Sequence, residues 1–251
     1  MRKCLFCPSR ADSREHVWPE WLRKFTVGAR RGTISAIRGP EDTERTWQGN
    51  PLKARYVCTS CNIGWMSDLE GAARPSLSRM IRGERVGLTQ LQASVVAAWT
   101  MKTAMVFDAL RLNNARYFTD SDCGYVRSHV LPPARVFVWT ACIRTPLHLY
   151  AEARKLTTRL PDKGLVLDGS ATTLGFGHLI LQALAVRPRG ESDRAAHSFN
   201  HNDFRNTRRN LVEIWPGRLP PLWPPAELLE SENDLEDLAY RFGRPSDVAA
   251  Q

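Results

Sequence analysis

The sequence lacks any long hydrophobic run. No stretch approaches the roughly 18 to 20 consecutive apolar residues that a helix needs to cross a bilayer. We also expect no signal peptide, because the chain reaches its first cysteine already at Cys4, which leaves little room for one ahead of it. We therefore expect a cytoplasmic protein that makes no use of a membrane.

Cysteine is scarce, with six residues in a chain of 251. Reduced cysteines in the cytoplasm favour metal binding over disulfide formation. Cys123 and Cys142 have no cysteine near them in the sequence, and we expect them to be ordinary buried residues. The other four form two C-x-x-C pairs: Cys4, Cys7, Cys58 and Cys61.

Acidic residues are outnumbered, by 35 lysines and arginines to 26 aspartates and glutamates, which gives a net charge of +9. Residues 1–75 carry 13 basic and 8 acidic side chains, so more than half of this excess lies in less than a third of the chain. A basic surface is compatible with a polyanionic partner, but many basic proteins bind no nucleic acid. Charge alone therefore raises the expectation of a nucleic-acid partner only modestly.

Two C-x-x-C pairs supply the four thiolates of a closed tetrahedral zinc site. Redox proteins use the same spacing, but no thioredoxin-like βαβ pattern surrounds these pairs, and four thiolates suit zinc better. Between the pairs lies the dipeptide Glu15-His16, and Asn62 directly follows the second pair. A zinc site made of two C-x-x-C pairs is more often purely structural than part of an enzyme. Glu15, His16 and Asn62 therefore decide between these two interpretations.

The order C-x-x-C, Glu15-His16, C-x-x-C-Asn62 resembles the HNH, or ββα-metal, nuclease family. Within that family it is similar to the zinc-stapled branch that includes phage junction-resolving nucleases. The resemblance covers about residues 1–75. It implies an N-terminal ββα domain in which a β-hairpin carries a general base, the following helix carries a metal ligand, and four cysteines bind structural zinc.

The resemblance also implies roles for single residues. His16 matches the general base, and Glu15 and Asn62 match the two protein ligands of a catalytic cation. Oxygen ligands of these types favour Mg²⁺ or Mn²⁺. Asn50 matches the middle asparagine of the motif, which ties the loop between the two strands to the backbone. The family usually has aspartate where this chain has Glu15.

The pattern predicts an α+β chain with two domains, a zinc-stapled HNH-like domain over residues 1–80 and a larger α+β domain over 87–243. The second should contain a long helix from Thr89, its expected N-cap, to Leu112 and an antiparallel sheet with strands near 135–143 and 174–186. No family resemblance suggests itself for this part. We expect it to recognise a substrate or partner.

Three local predictions concern the first 86 residues. Residues 40–49 are expected to form a polar loop. A helix should begin at Asn62 and end before Pro75, and residues 76–86 should then form a connection with some helical content. Ile63, Met66 and Leu69 should form the buried stripe of that helix.

These expectations combine into a metal-dependent endonuclease that hydrolyses phosphodiester bonds, expected to be those of DNA. The alternative is a non-catalytic zinc module that binds nucleic acid or a protein partner on a degenerate HNH scaffold. In that case Asn62 could be a helix N-cap, which its residue type also suits. The sequence leaves the oligomeric state open.

Overall fold

Residues 2–25, 35–38, 44–47, 53–110, 116–160, 164–189, 209–217 and 220–242 are described by the computed structural model of the chain. They form helices and mainly antiparallel sheets, so the expected α+β class is confirmed. The helices are α1 (Thr59–Cys61), α2 (Ser67–Ile81), α3 (Gln90–Asp108), α4 (Asp120–His129) and α5 (Glu232–Ala239). The strands are β1 (Glu15–His16), β2 (Ser35–Arg38), β3 (Glu44–Trp47), β4 (Lys53–Ala54), β5 (Val86–Gly87), β6 (Val136–Leu160), β7 (Leu165–Pro188), β8 (Val212–Trp215) and β9 (Leu222–Trp223).

The N-terminal part is built around a short strand pair. Strand β1 pairs antiparallel with β4, with Glu15 opposite Ala54 and His16 opposite Lys53. A 3₁₀ turn, Glu20–Lys24, and the β2–β3 hairpin lie between these strands in the chain. Strand β3 therefore lies inside the segment 40–49, where the prediction of a loop was wrong.

A helical run follows the strand pair from α1 to the end of α2. A π-helical turn, Asn62–Met66, connects the two helices. The predicted end before Pro75 was wrong, because α2 continues to Ile81. Pro75 lies on the exposed face of α2, where the carbonyl that loses its intrahelical donor can bind water, while Leu77 and Met80 continue the buried stripe.

Helix α3 begins with a capping box. The Thr89 hydroxyl accepts from the backbone N–H of Gln92, and the Gln92 side chain accepts from the backbone N–H of Thr89. The predicted N-cap is thus confirmed, and with it most of the predicted helix. From Val96 to Asp108 every residue of α3 is buried, as expected for the central helix of a domain.

Strands β6 and β7 form a long antiparallel hairpin that is bent near its middle. The Gln182 side chain donates to the Thr173 hydroxyl at 3.1 Å, although the two residues are nine positions apart on β7. A straight strand would separate them by about 30 Å. The bend lies at Gly177, whose φ is +55°, opposite two register shifts in β6.

This hairpin is the centre of a five-stranded sheet. Strand β2 runs parallel to residues Ala151–Arg154 of β6, β3 pairs with β2, and β8 pairs with residues 138–140 of β6. The parallel β2–β6 pair brings a strand from the first part of the chain into the sheet of the second. The division at residues 80–87 stays a prediction.

One apolar core joins the N-terminal residues to the helices and the sheet. It includes Phe6 and Trp18 near the N-terminus, Phe107 on α3 and Phe176 on β7. The Trp18 ring centroid lies 5.6 Å from that of Phe107 and 5.9 Å from that of Phe176. Within the described ranges, none of the helices combines the length and the apolar character required to span a membrane.

Candidate metal centre

The four paired cysteines converge on one point. Their Sγ atoms all lie within 4.8 Å of one another, and those of Cys7 and Cys58 are 3.5 Å apart. Four sulfurs around a tetrahedral zinc ion, at about 2.3 Å from it, would be about 3.8 Å apart. All six cysteines are free thiols. The donor set therefore fits a structural zinc ion, and the predicted four-cysteine cluster is present.

The first knuckle is a tight turn closed by backbone pairing. Lys3 and Arg10 form an isolated antiparallel bridge, and the Cys4 N–H donates to the Ser9 carbonyl at 2.7 Å. The Leu5 N–H donates to the Tyr56 carbonyl at 2.7 Å, which places this turn beside the second knuckle. The two pairs, 51 residues apart between Cys7 and Cys58, are thus brought together by main-chain contacts.

The second knuckle is the start of a helix. Cys58 is the N-cap of α1, and its Sγ accepts from the Cys61 backbone N–H at 3.4 Å. The Cys58 backbone N–H in turn donates to the Cys4 Sγ at 3.3 Å. Such N–H donors favour the thiolate form, which is the form that binds metal.

The thiol pKa values are spread apart. Burial raises the pKa of Cys58, but hydrogen bonds from the Ser60 hydroxyl and the Cys61 backbone outweigh it and lower this pKa to about 6. Burial is the largest effect on Cys61 and Cys4, and it raises the pKa of both thiols. Four sulfurs this close cannot all ionise without a counter-charge. A divalent cation would supply that charge and release the remaining protons.

Asp12 fixes the second knuckle from outside. Its Oδ1 accepts from the Thr59 backbone N–H at 2.7 Å and from the Thr59 hydroxyl at 3.0 Å. These bonds lower the pKa of Asp12, and a carboxylate at this end of a helix also suits the helix dipole. The sequence around residue 12 does not indicate this role, because the partner of Asp12 is 47 positions away.

Two aromatic rings lie beside the cysteines. Phe6 and Trp65 meet edge to face with centroids 5.0 Å apart. The Trp65 indole N–H lies beside the Cys61 sulfur and lowers its pKa, an effect smaller than that of burial, although its geometry falls short of a hydrogen bond.

The dipeptide Glu15-His16 forms strand β1. His16 is half-buried, and its backbone pairs with that of Lys53 on β4. The strand pair leads directly through residues 55–57 to the second knuckle and α1. The paired strands β1 and β4 are therefore followed along the chain by the second C-x-x-C pair and then by a helix.

Asn62 lies one residue beyond the cysteine cluster and close to β1. Its Nδ2 donates to the Ser13 hydroxyl at 3.4 Å, three residues before His16. Its backbone is helical, with φ −63° and ψ −54°. The alternative that Asn62 is the N-cap was wrong, because Cys58 occupies that position and the helix has already begun.

Ile63 does not lie on the buried stripe that the sequence predicts. Met66 and Leu69 are buried, but 72% of Ile63 is exposed. The reason is local, since the π-helical turn contains Gly64 at φ −91° and ψ −119°, which breaks the helical periodicity between positions 63 and 66. Asn50, the proposed middle asparagine, lies outside the described residues.

No known protein-family model matches this chain, and no curated protein or solved structure is significantly similar to it. The site therefore has to be interpreted from its own chemistry. A four-sulfur set is coordinatively complete, so a zinc ion there is a structural element. Any hydrolytic chemistry requires the polar residues beside the cluster.

Proposed function

We propose that this protein is a metal-dependent endonuclease of the HNH type, with structural zinc at the four cysteines. The observation that carries the proposal is the contact between Asn62 and Ser13, which brings the start of the helical run against the strand that contains Glu15 and His16. The Asn62 amide thus contacts a residue three positions before His16, on an element that adjoins β1.

The proposed reaction is hydrolysis of a phosphodiester bond, most simply in DNA. His16 takes a proton from a water molecule, whose oxygen attacks phosphorus while the bond to the leaving sugar oxygen breaks. A neutral imidazole is suited to accept this proton near neutral pH. Glu15 and Asn62 would hold Mg²⁺ or Mn²⁺, and this cation would stabilise the negative charge on the leaving oxygen.

The remaining parts of the chain have supporting roles in this proposal. Basic residues of the N-terminal part attract the phosphate backbone. The sheet and helices of residues 87–243 would select the nucleic acid or partner that is bound. Four free thiols at one site suit the reducing cytoplasm.

Plasmid nicking tests the proposal. Wild-type protein, supplied with Mg²⁺ or Mn²⁺, should convert supercoiled DNA to open circles or linear molecules. His16→Ala should lose this activity by at least about 100-fold, as expected for removal of a general base, and should keep one zinc per chain. Omitting the divalent cation should also abolish nicking, and adding it back should restore it.

Equal residual nicking by wild type and His16→Ala would overturn the proposal. If both proteins nevertheless bound DNA and retained zinc, the chain would be a non-catalytic zinc module. A Glu15→Asp variant adds information about the departure from the usual motif. Because it moves the carboxylate by one methylene, it should change the preference between Mg²⁺ and Mn²⁺ without removing zinc.

A further inference from the structure

We propose that Arg14 and Arg55 form a phosphate clamp, a pair of guanidinium groups that holds a nucleic-acid backbone at the end of the β1–β4 pair, beside His16. The inference rests on the proposed function and makes it more specific, because it names the residues that position the strand to be cut.

The backbone places these arginines at the same end of the β1–β4 pair. Glu15 pairs with Ala54 and His16 with Lys53, so Arg14 directly precedes β1 and Arg55 directly follows β4. The next backbone contact, from the Ser13 N–H to the Val57 carbonyl at 3.1 Å, is displaced by one residue from this register, as at a β-bulge. Arg14 and Arg55 therefore flank the paired residues, and Arg14 lies two positions from His16 along the chain.

Two neighbouring arginines without an acidic partner are unusual in a protein that has no ligand bound. Both arginines are exposed, and neither has an ion pair within the described part of the chain. Two like charges at one end of a strand pair repel each other. The other arginine contacts of this protein show the common solution, in which a carboxylate lies within reach, as for Arg82 with Glu84 and Arg189 with Asp168.

A polyanionic ligand would remove this repulsion. Each guanidinium presents a planar set of donors that matches two phosphate oxygens and keeps its charge at any physiological pH. Two such groups at one end of the strand pair would contact phosphates on one strand beside His16. An acidic protein would also be attracted, but the position next to the proposed base favours nucleic acid.

Salt dependence of binding measures the clamp directly. For duplex DNA, each phosphate contact contributes about 0.9 to the slope of log affinity against log salt concentration. The measurement uses fluorescence anisotropy of a labelled duplex oligonucleotide without added Mg²⁺ or Mn²⁺, and His16→Ala protein as the background so that no cleavage occurs. Arg14→Ala and Arg55→Ala should each lower the slope by about 1, and the double variant by about 2.

Matched variants distinguish the loss of a phosphate contact from a general loss of positive charge. Arg127→Ala and Arg159→Ala remove exposed arginines on α4 and near the end of β6, and should leave the slope unchanged within about 0.3, on the scale of 0.9 per contact. Arg14→Lys and Arg55→Lys should retain most of the slope, since lysine keeps the charge. If either alanine variant loses zinc or no longer has the circular dichroism spectrum of the wild type, the lysine variants provide folded proteins for the comparison.

The outcomes for the clamp and for the nuclease are distinct. If the double alanine variant had the same slope as the two control variants, the clamp would be overturned while wild-type nicking could still establish the nuclease. A loss of about 2 in slope, with no nicking by wild type, would support the clamp and exclude the nuclease. Binding without salt dependence in the background protein would overturn the clamp.

Discussion

Cys58 is central to the sulfur cluster, because it is the helix N-cap and contacts the thiols or backbone of Cys4, Cys7 and Cys61. We expect Cys58→Ser to lower the zinc content from one per chain to near zero. Structural zinc contributes folding free energy directly, so the variant should also lose several kcal/mol of stability. Metal analysis and thermal unfolding followed by circular dichroism would measure both effects.

Cys142→Ala is the matched control. Cys142 is also buried but lies on β6, outside the sulfur cluster. Its truncation removes one sulfur from the core and should cost roughly 1 kcal/mol or more, with one zinc still bound. Loss of zinc by both variants alike would show that metal content follows overall stability and that the cluster is not the site.

The raised pKa of Tyr117 predicts that the protein loses stability at alkaline pH. Burial raises its pKa to about 12 from an ordinary value of 10, against a smaller lowering by Arg187, whose guanidinium lies 4.2 Å from the ring centroid. The folded state therefore favours the neutral phenol. Its contribution is complete below pH 10 and is lost as pH rises toward 12. At pH 11 the loss should be about 1.4 kcal/mol.

The Tyr117→Phe variant tests the direction of this pH dependence of stability. The variant loses the hydroxyl's hydrogen bond to the Asp168 carbonyl, so it should be less stable than wild type at pH 7. Between pH 9 and 11, however, its free energy of unfolding in urea should fall by about 1.4 kcal/mol less than that of wild type. Parallel pH curves for the two proteins would contradict the prediction.

Residues that act through near neighbours could be predicted, and those with distant partners could not. The two C-x-x-C pairs predicted the sulfur cluster, because their spacing is a local signature of zinc knuckles. Thr89 was predictable as an N-cap for the same reason. Asp12 has its partner on another element, and nothing in the sequence near residue 12 indicates Thr59.

At the scale of elements, periodicity failed where the backbone departs from regular helix. The stripe of apolar residues after Cys61 assumes 3.6 residues per turn, and the π-helical turn invalidates it at Ile63. Pro75 was expected to end α2, but proline only removes one hydrogen bond and can be tolerated when packing on the opposite face holds the helix. That packing comes from α3 and β7, which the local sequence does not contain.

Two glycines on α2 and β7 should respond in opposite directions to alanine. Gly71 lies in the interior of α2, and a Cβ there would meet no atom within 4 Å. Gly71→Ala should therefore raise the free energy of unfolding by about 0.5 to 1 kcal/mol. At Gly177, φ is +55° and a Cβ would lie 2.4 Å from the Ile81 carbonyl oxygen.

Gly177→Ala should therefore lower the free energy of unfolding by at least about 2 kcal/mol, since backbone strain adds to the clash. Urea unfolding of the two variants beside wild type provides the measurement. The contact at Gly177 joins the C-terminal end of α2, the helix that follows the metal cluster, to the bend of the sheet. Equal stability of both variants would argue against this close approach.

At the scale of the whole molecule, the sequence predicted the class of each part but not how the parts join. The long helix and an antiparallel sheet with strands near 135–143 and 174–186 followed from apolar patterning, but the full length of β6 and β7, Val136–Leu160 and Leu165–Pro188, did not. The bend that brings Thr173 to Gln182, and the parallel pairing of β2 with β6, depend on contacts between residues far apart in the chain. No local pattern encodes such contacts.

The shared core predicts that the chain unfolds as one unit. Trp18 packs against both Phe107 and Phe176, so loss of the N-terminal structure would expose apolar rings of the helix and the sheet. Differential scanning calorimetry of the zinc-bound protein should show a single transition. Chelation of zinc should shift that whole transition downward by about 10 °C or more, because each kcal/mol changes the midpoint by 2 to 4 °C in a chain of this size.

The Cys58→Ser variant controls for effects of the chelator itself, since its transition should already lie at the lower temperature and should not move further. Two transitions, of which only the first responds to chelation, would instead establish independent domains on either side of residues 80–87. In that case Trp18→Ala should leave the second transition unchanged. With a shared core, the same substitution should lower the single midpoint, because truncation of a buried tryptophan costs roughly 3 to 5 kcal/mol.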